Sequence, residues 1–224
     1  MDDLDLSPND VPTPEPDEPP RSRAERRDQQ VQRILEAAKV CFVRSGFQGA
    51  SMQQICAEAG MSPGALYRYF PSKEAIIGAI CEADRAEDAK VFAAILSNPS
   101  VVVGVVEGAM AHIRMMHETN AAPLFAEIMA ESMRNEAVAS TCMKNMDDVH
   151  QLFREYLGCA VARGDIDPLV DVGSLLHTMM SMVHGLALND LPARGVPYDK
   201  IELLIRSTVE ALLRPTKVTP LINA

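Results

Sequence analysis

A chain of 224 residues with 47% hydrophobic content, 4% aromatics and no Trp has apolar material for two small domains or one large helical one. No apolar run reaches the roughly 18–20 residues of a membrane span, the acidic N-terminus does not read as a secretory signal, and five cysteines without C-x-x-C spacing argue against a disulfide framework or a zinc site. The net charge of −10 is unevenly spread: residues 1–20 carry −7, residues 21–80 carry +4 and the remainder −7. The expectation is a cytoplasmic protein with reduced thiols and one basic segment.

Residues 1–20 hold six of the fifteen prolines among seven acids and no base. Such a segment buries too little surface to offset its ordering entropy, and is expected to be disordered. It reads as a solvated extension or, less readily, as an acidic arm that occupies the basic segment. From Arg23 to Ser45, Val31, Ile34, Leu35, Ala38 and Phe42 fall at helical spacing, and Gly46 is expected to close this first helix. Arg21, Arg23, Arg26 and Arg27 cluster at its start.

The stretch 51–73 predicts two short helices and the start of a third. Ser51 and Gln54 form an S-x-x-Q capping box, and Gly60 supplies a left-handed stop. Ser62 caps a second helix with Pro63 in its first turn, expected to run to about Tyr69. After Pro71, Ser72 restarts a helix at Lys73. Helix, glycine-containing turn, helix is the layout of a DNA-binding helix-turn-helix. The short side chains Ser62, Pro63, Gly64 and Ala65 would allow close approach to base edges, and Ala65 could rest on a thymine methyl. Arg68 could pair with guanine in bidentate fashion or clamp a phosphate. Ser51 and Gln53 are phosphate candidates. Leu66 and Phe70 read as core.

The run Ile55, Ala57, Ala59-Gly60, Ser62, Gly64, Leu66-Tyr67, Tyr69-Phe70, Ser72-Lys73-Glu74 closely resembles the signature of tetracycline-repressor-like (TetR-family) transcription regulators. With the preceding helix, the resemblance covers about residues 24–80. It implies an all-α fold in which residues 21–80 form the DNA-binding domain and residues 81–224 a helical body that binds ligand and dimerises. It also implies contacts of Tyr67 and Tyr69 with phosphate or base, and of Lys73 with phosphate. The partners implied are double-stranded operator DNA, a second copy of the chain and a small molecule held in the body.

About nine helices are expected. After the fourth, from Lys73 to Leu96, come Ser100–Thr119, Ala122–Arg134, Ala137–Arg163, one opened by Asp167-Pro168 that ends near Asn189, and Pro197–Leu213. The eighth and ninth carry more apolar surface than one stripe. Leu169, Val172, Leu176, Val183, Ile201, Ile205 and Leu212 are therefore candidates for a four-helix dimer interface. Ten methionines in helices five to eight suggest an adaptable apolar cavity, with His112, Met116, Phe125, Met129, Phe153, His177 and Met180 as candidate lining. That suits a hydrophobic or aromatic inducer and a multidrug efflux operon. No metal or cofactor is expected, because His112 and His117, five apart, do not share a helix face. An enzyme is not expected, since no Ser-His-Asp spacing, glycine-rich phosphate loop or H-E-x-x-H occurs. Two alternatives stand beside a ligand-released repressor: a ligand-binding scaffold with a vestigial DNA motif, and a thiol-based redox regulator using Cys41 or Cys56.

Overall fold

The first helix, α1, spans Arg23–Gly49 and begins at a reciprocal cap, in which the Glu25 amide donates to Ser22 Oγ and the Ser22 amide to the Glu25 carboxylate. The computed structural model to which it belongs describes residues 22–83, 95 and 98–216, apart from the side chains of 143–146 and 148. The proline-rich segment 1–20, Arg21 and the expected helical run over 84–94 lie outside the described residues. Among these the fold is all-helical, with no strand and one isolated bridge between Ile166 and Pro215.

Helix α1 buries Ile34, Leu35, Ala38, Cys41 and Phe42 along one face, as their spacing predicts. It does not end at Gly46. That residue adopts φ +70°, a left-handed value natural to glycine, and the chain returns to helix until Gly49. The break frees backbone groups that an unbroken helix would pair. Phe47 N–H donates to Glu127 Oε1 (2.6 Å), and the carbonyls of Phe47 and Ala50 accept from Lys73 Nζ at 2.6 and 2.7 Å. The same ammonium lies 4.5 Å from the centre of the Phe47 ring, a cation–π contact.

Helices α2 (Met52–Glu58) and α3 (Pro63–Leu66) pack on α1. The α-helical part of α3 is shorter than expected, because tight turns carry the chain from Tyr67 to Phe70. Helix α4 is described over 73–83 and contributes Ile76, Ile77 and Ile80, all buried. Each such isoleucine contributes about 1.5–3 kcal/mol relative to leaving it in water. This core does not stop at residue 80, since Leu124, Ile128, Val138 and Cys142 belong to it.

The second core is built on α5 (Val101–Glu118), whose Val105, Val106, Ala109, Ile113 and Met116 face α8 (Val172–Leu188) and α9 (Tyr198–Leu213). His117 Nδ1 meets the Tyr198 hydroxyl at 3.1 Å, and Arg114 lies over the Tyr198 ring. Helix α6 (Ala122–Ser132) bridges the two cores, touching α1 on one side and α7 (Glu136–Ala162) and α8 on the other. Asp171, not Asp167-Pro168, opens α8, accepting from the Ser174 amide and hydroxyl. Asp167 instead donates its amide to the carbonyls of Leu213 and Arg214, which fixes it to the end of α9.

Burial divides the candidate dimer residues. Leu176, Ile201 and Ile205 are each 1% exposed, because they point into the chain's own cores and have no face left for a second copy. Val172, Val183 and Leu212 are half-buried against the same core. Leu169 is 80% exposed but precedes α8.

Replacing Gly46 by Ala should lower stability by about 1–3 kcal/mol from the backbone conformation alone (φ +70°, ψ 164°). The new Cβ would also stand 3.2 Å from Glu127 Oε1. Denaturant unfolding of the two proteins is the measurement.

Candidate nucleic-acid interface

Local capping holds α2 and α3 in place. Ser51 Oγ accepts from the Gln54 amide while Gln54 Oε1 accepts from the Ser51 amide. Gly60 (φ +60°) ends α2, with Met61 N–H bonded to the Cys56 carbonyl and Gly60 N–H to that of Ala57, the paired bonds of a Schellman stop. Arg33 reaches from α1 to the Gly60 carbonyl at 3.3 Å, a tie between α1 and the turn that the sequence reading missed. Ser62 Oγ then accepts from the Ala65 amide, with Pro63 at the first helical position.

This arrangement sorts the motif residues by face. Leu66 and Phe70 are buried and Tyr69 packs half-buried against them. Ser62, Pro63, Gly64, Tyr67 and Arg68 are exposed, Tyr67 to 53%, and Ala65 is half-exposed. No heavy atom lies within 4 Å of where a Cβ on Gly64 would be, so this position is open to an approaching partner and not needed for internal packing. Gln53 is exposed and Ser51 half-exposed at the start of α2. Both capping serines accept through oxygen, which leaves their hydroxyl hydrogens available to donate.

A groove of about 730 Å³ lies beside α3, lined by Arg23, Arg26, Arg27, Gln29 and Gln30 of α1 with Arg68 and Tyr69. Four guanidinium groups thus gather at one concavity just past the end of α3, with Arg68 shared between it and the exposed face of the motif. Polyanion binding requires such a charge set. Lys73 lies elsewhere: two of its hydrogens serve the carbonyls at the end of α1. A phosphate contact at Lys73 would use the third ammonium hydrogen.

In the body, the candidate ligand residues fall into two groups. His112 and Phe125 meet around His184, with ring centres 5.9 and 5.2 Å from it. Phe153 and Met180 pack together with Leu176 and Tyr156, while His177, exposed on α8, meets His150 edge-on at 5.2 Å. Met116 is buried in the α5 core and Met129 is half-buried on α6. His150 and His184, read from sequence as scattered on separate helices, are not among the candidate lining residues, although the spacing of seven between His177 and His184 could have signalled a shared face. Desolvation, then the neighbouring His112 and His150, pushes His184 down to about 4. Desolvation likewise lowers His112; His150 is lowered by desolvation and then by the charge of the nearby His177. The Nε2 atoms of His112, His117 and His150 and the Tyr156 hydroxyl are buried without a hydrogen-bond partner. Among the described residues no group of three or more His, Cys, Asp or Glu could hold a metal, and no helix is long and apolar enough to cross a membrane.

Residues 34–80 match the family described as bacterial regulatory proteins, tetR family. The HTH-type transcriptional regulator UidR of Escherichia coli is 32% identical over 165 residues, 73% of this chain and 82% of that one. Among solved structures, Salmonella enterica GusR superposes with a TM-score of 0.74 at 31% identity, covering 83% of this chain and 96% of its own. AibR, solved in complex with isovaleryl coenzyme A and operator DNA, shares the fold with a TM-score of 0.67 at 20% identity, over 83% of this chain and 99% of its own. Since the capped helix-turn-helix lies within the matched segment and the likeness to UidR runs through most of both chains, this protein belongs to the TetR family of transcriptional regulators.

Proposed function

We propose that the chain is a transcriptional repressor that binds a palindromic operator as a homodimer and is released by a small ligand held in the body. The observation that carries this reading is one exposed surface that joins the open tip of α3, with Gly64, Tyr67 and Arg68, to the arginines at the start of α1. On this reading Ser62, Pro63, Gly64 and Ala65 enter the major groove, Arg68 pairs with a base or a phosphate, and Ser51, Gln53, Tyr67 and Tyr69 hold the backbone. Arg23, Arg26 and Arg27 follow the adjoining phosphates. In a binding assay on the DNA upstream of the gene, Arg68→Ala should cost about 1–3 kcal/mol. Arg26→Ala and Arg27→Ala should each flatten the dependence of log affinity on log salt by about one. A salt-independent wild type would favour the scaffold alternative.

Dimerisation is assigned to the outward faces of α8 and α9. Ser174, Thr178, Ser181, Gly185 and Leu188 line one, and Leu204, Thr208 and Ala211 the other. Small residues on α8 would let a second copy approach closely, while Leu204, 62% exposed, would be covered by it. Leu204→Asp should convert the dimer to monomer in sedimentation and weaken operator binding, because one half-site contact remains.

For the ligand, the unpartnered imidazoles and the Tyr156 hydroxyl favour an apolar body that carries at least one hydrogen-bonding oxygen. The acyl-coenzyme A found with AibR supports a ligand of mixed polarity on this fold. A methionine-lined multidrug cavity has less support: Met110, Met116 and Met179 are packed into the core, and Met115 and Met133 are exposed. The genes controlled, on this reading, export or transform a polar-tipped compound. Glu127 and Glu131 of α6 would relay its binding to α1. Burial works to raise Glu131, but hydrogen bonds from Asn135, Arg134 and Gln48 and the Arg134 charge outweigh it and hold the carboxyl below its usual range.

The histidine cluster also sets a pH response. Folded His184 takes up its proton only near pH 4, whereas the unfolded chain does so near 6.5. The unfolded state therefore binds more protons between these values, and stability should fall as pH drops from about 6.5 toward 4. Unfolding curves across this range should show the fall, with a shallower slope for His184→Phe.

A further inference from the structure

Two thiols meet where the DNA-binding end joins the body, and neither takes part in the functions described above. Cys81 on α4 and Cys142 on α7 place their sulfurs 3.0 Å apart, about 1 Å beyond the length of a disulfide bond. The two helices approach closely for an independent reason: a Cβ on Gly78, one turn before Cys81, would stand 3.0 Å from Thr141 Cγ2. Cys142 is buried and Cys81 half-buried, and both belong to the packing around α1 and α4. The contact from Cys81 lowers the Cys142 thiol against the desolvation of its surroundings.

We propose that Cys81 and Cys142 form a reversible disulfide by exchange with a low-molecular-weight disulfide, cross-linking α4 to α7. Cys81, the more accessible, attacks as its thiolate, forming a mixed disulfide and expelling one small thiolate. Cys142, as its thiolate, then attacks the Cys81 sulfur and expels the second. The two protons lost by the protein thiols end on the two small thiols, so one disulfide is reduced and one made. The sulfurs already touch, so the second step outruns attack on Cys81 by another small thiol. Cys41 and Cys56, named earlier as redox candidates, are buried, and desolvation pushes both thiols up, which lowers their reactivity. Cys159 is exposed on the far part of α7 and serves as the comparison.

The test is incubation of the full reduced chain with oxidised glutathione, followed by acid quench, alkylation, intact mass and peptide mapping. Wild type should lose the mass of two hydrogens, yield a cross-linked peptide containing residues 81 and 142, and return to the starting mass with dithiothreitol. The thermal midpoint of the oxidised form should rise by several degrees, as closing a long loop predicts. Cys142→Ser should stop at a glutathione adduct on Cys81, and Cys159→Ser should form the cross-link unchanged. A persistent adduct on wild-type Cys81, or alkylation of both Cys81 and Cys142 after treatment, would overturn the proposal. No readout involves DNA, so the proposal fails or stands apart from the repressor reading.

Discussion

The break at Gly46 and the charges gathered on it organise the molecule. A glycine in left-handed geometry interrupts a helix of 27 residues, and three side chains from distant parts of the sequence come to the turn that follows. Glu127 takes the Phe47 amide, Glu131 takes the Gln48 side chain, and Lys73 takes the carbonyls of Phe47 and Ala50. These bonds join the end of α1 to two neighbours: α6 through the two glutamates, α4 through the lysine. Buried polar groups tolerate little displacement without losing their partners, so α6 and α1 are held to move together. If α6 senses a ligand and α1 carries arginines toward DNA, coupling between the two sites runs both ways.

What the sequence made legible is local. Ser51 with Gln54, Gly60, and Ser62 with Pro63 act within a turn or two of themselves, so residue type and spacing suffice to place α2 and α3. The inward stripe of α1 was equally plain, because Ile34, Leu35, Ala38 and Phe42 repeat at the helical period. The same reasoning misled where a second segment intervened. Asp167-Pro168 looks like a helix start, yet the end of α9 claims the Asp167 amide and Asp171 starts α8 instead. Lys73 looks like a surface cation until the carbonyls beyond Gly46 are brought to it. Leu176, Ile201 and Ile205 carry no mark that separates a residue facing its own core from one facing a second copy.

The body shows a related limit. Methionines are frequent enough to suggest a cavity, but frequency does not say which way each side chain points, and several complete the α5 core. Histidines scattered on α5, α7 and α8 looked unrelated in sequence. Packing brings them together and strips them of water, which keeps His184 neutral well below the usual histidine range. Long-range proximity of this kind follows from helix pairing; the spacing of seven between His177 and His184 places those two on one face of α8 but says nothing of His112 or His150.

The seam at the close of α9 has a practical side. Thr216 donates its amide to the Asp165 carbonyl and its hydroxyl to that of Gly164, beside the Ile166–Pro215 bridge and the Asp167 bonds to Leu213 and Arg214. A fusion partner or affinity handle appended after Thr216 leaves this lacing whole. A chain shortened to Leu213 loses Arg214, Pro215 and Thr216 together, and with them most of the stitches that hold the α7–α8 connection against the last helix; the Asp167 bond to the Leu213 carbonyl stays.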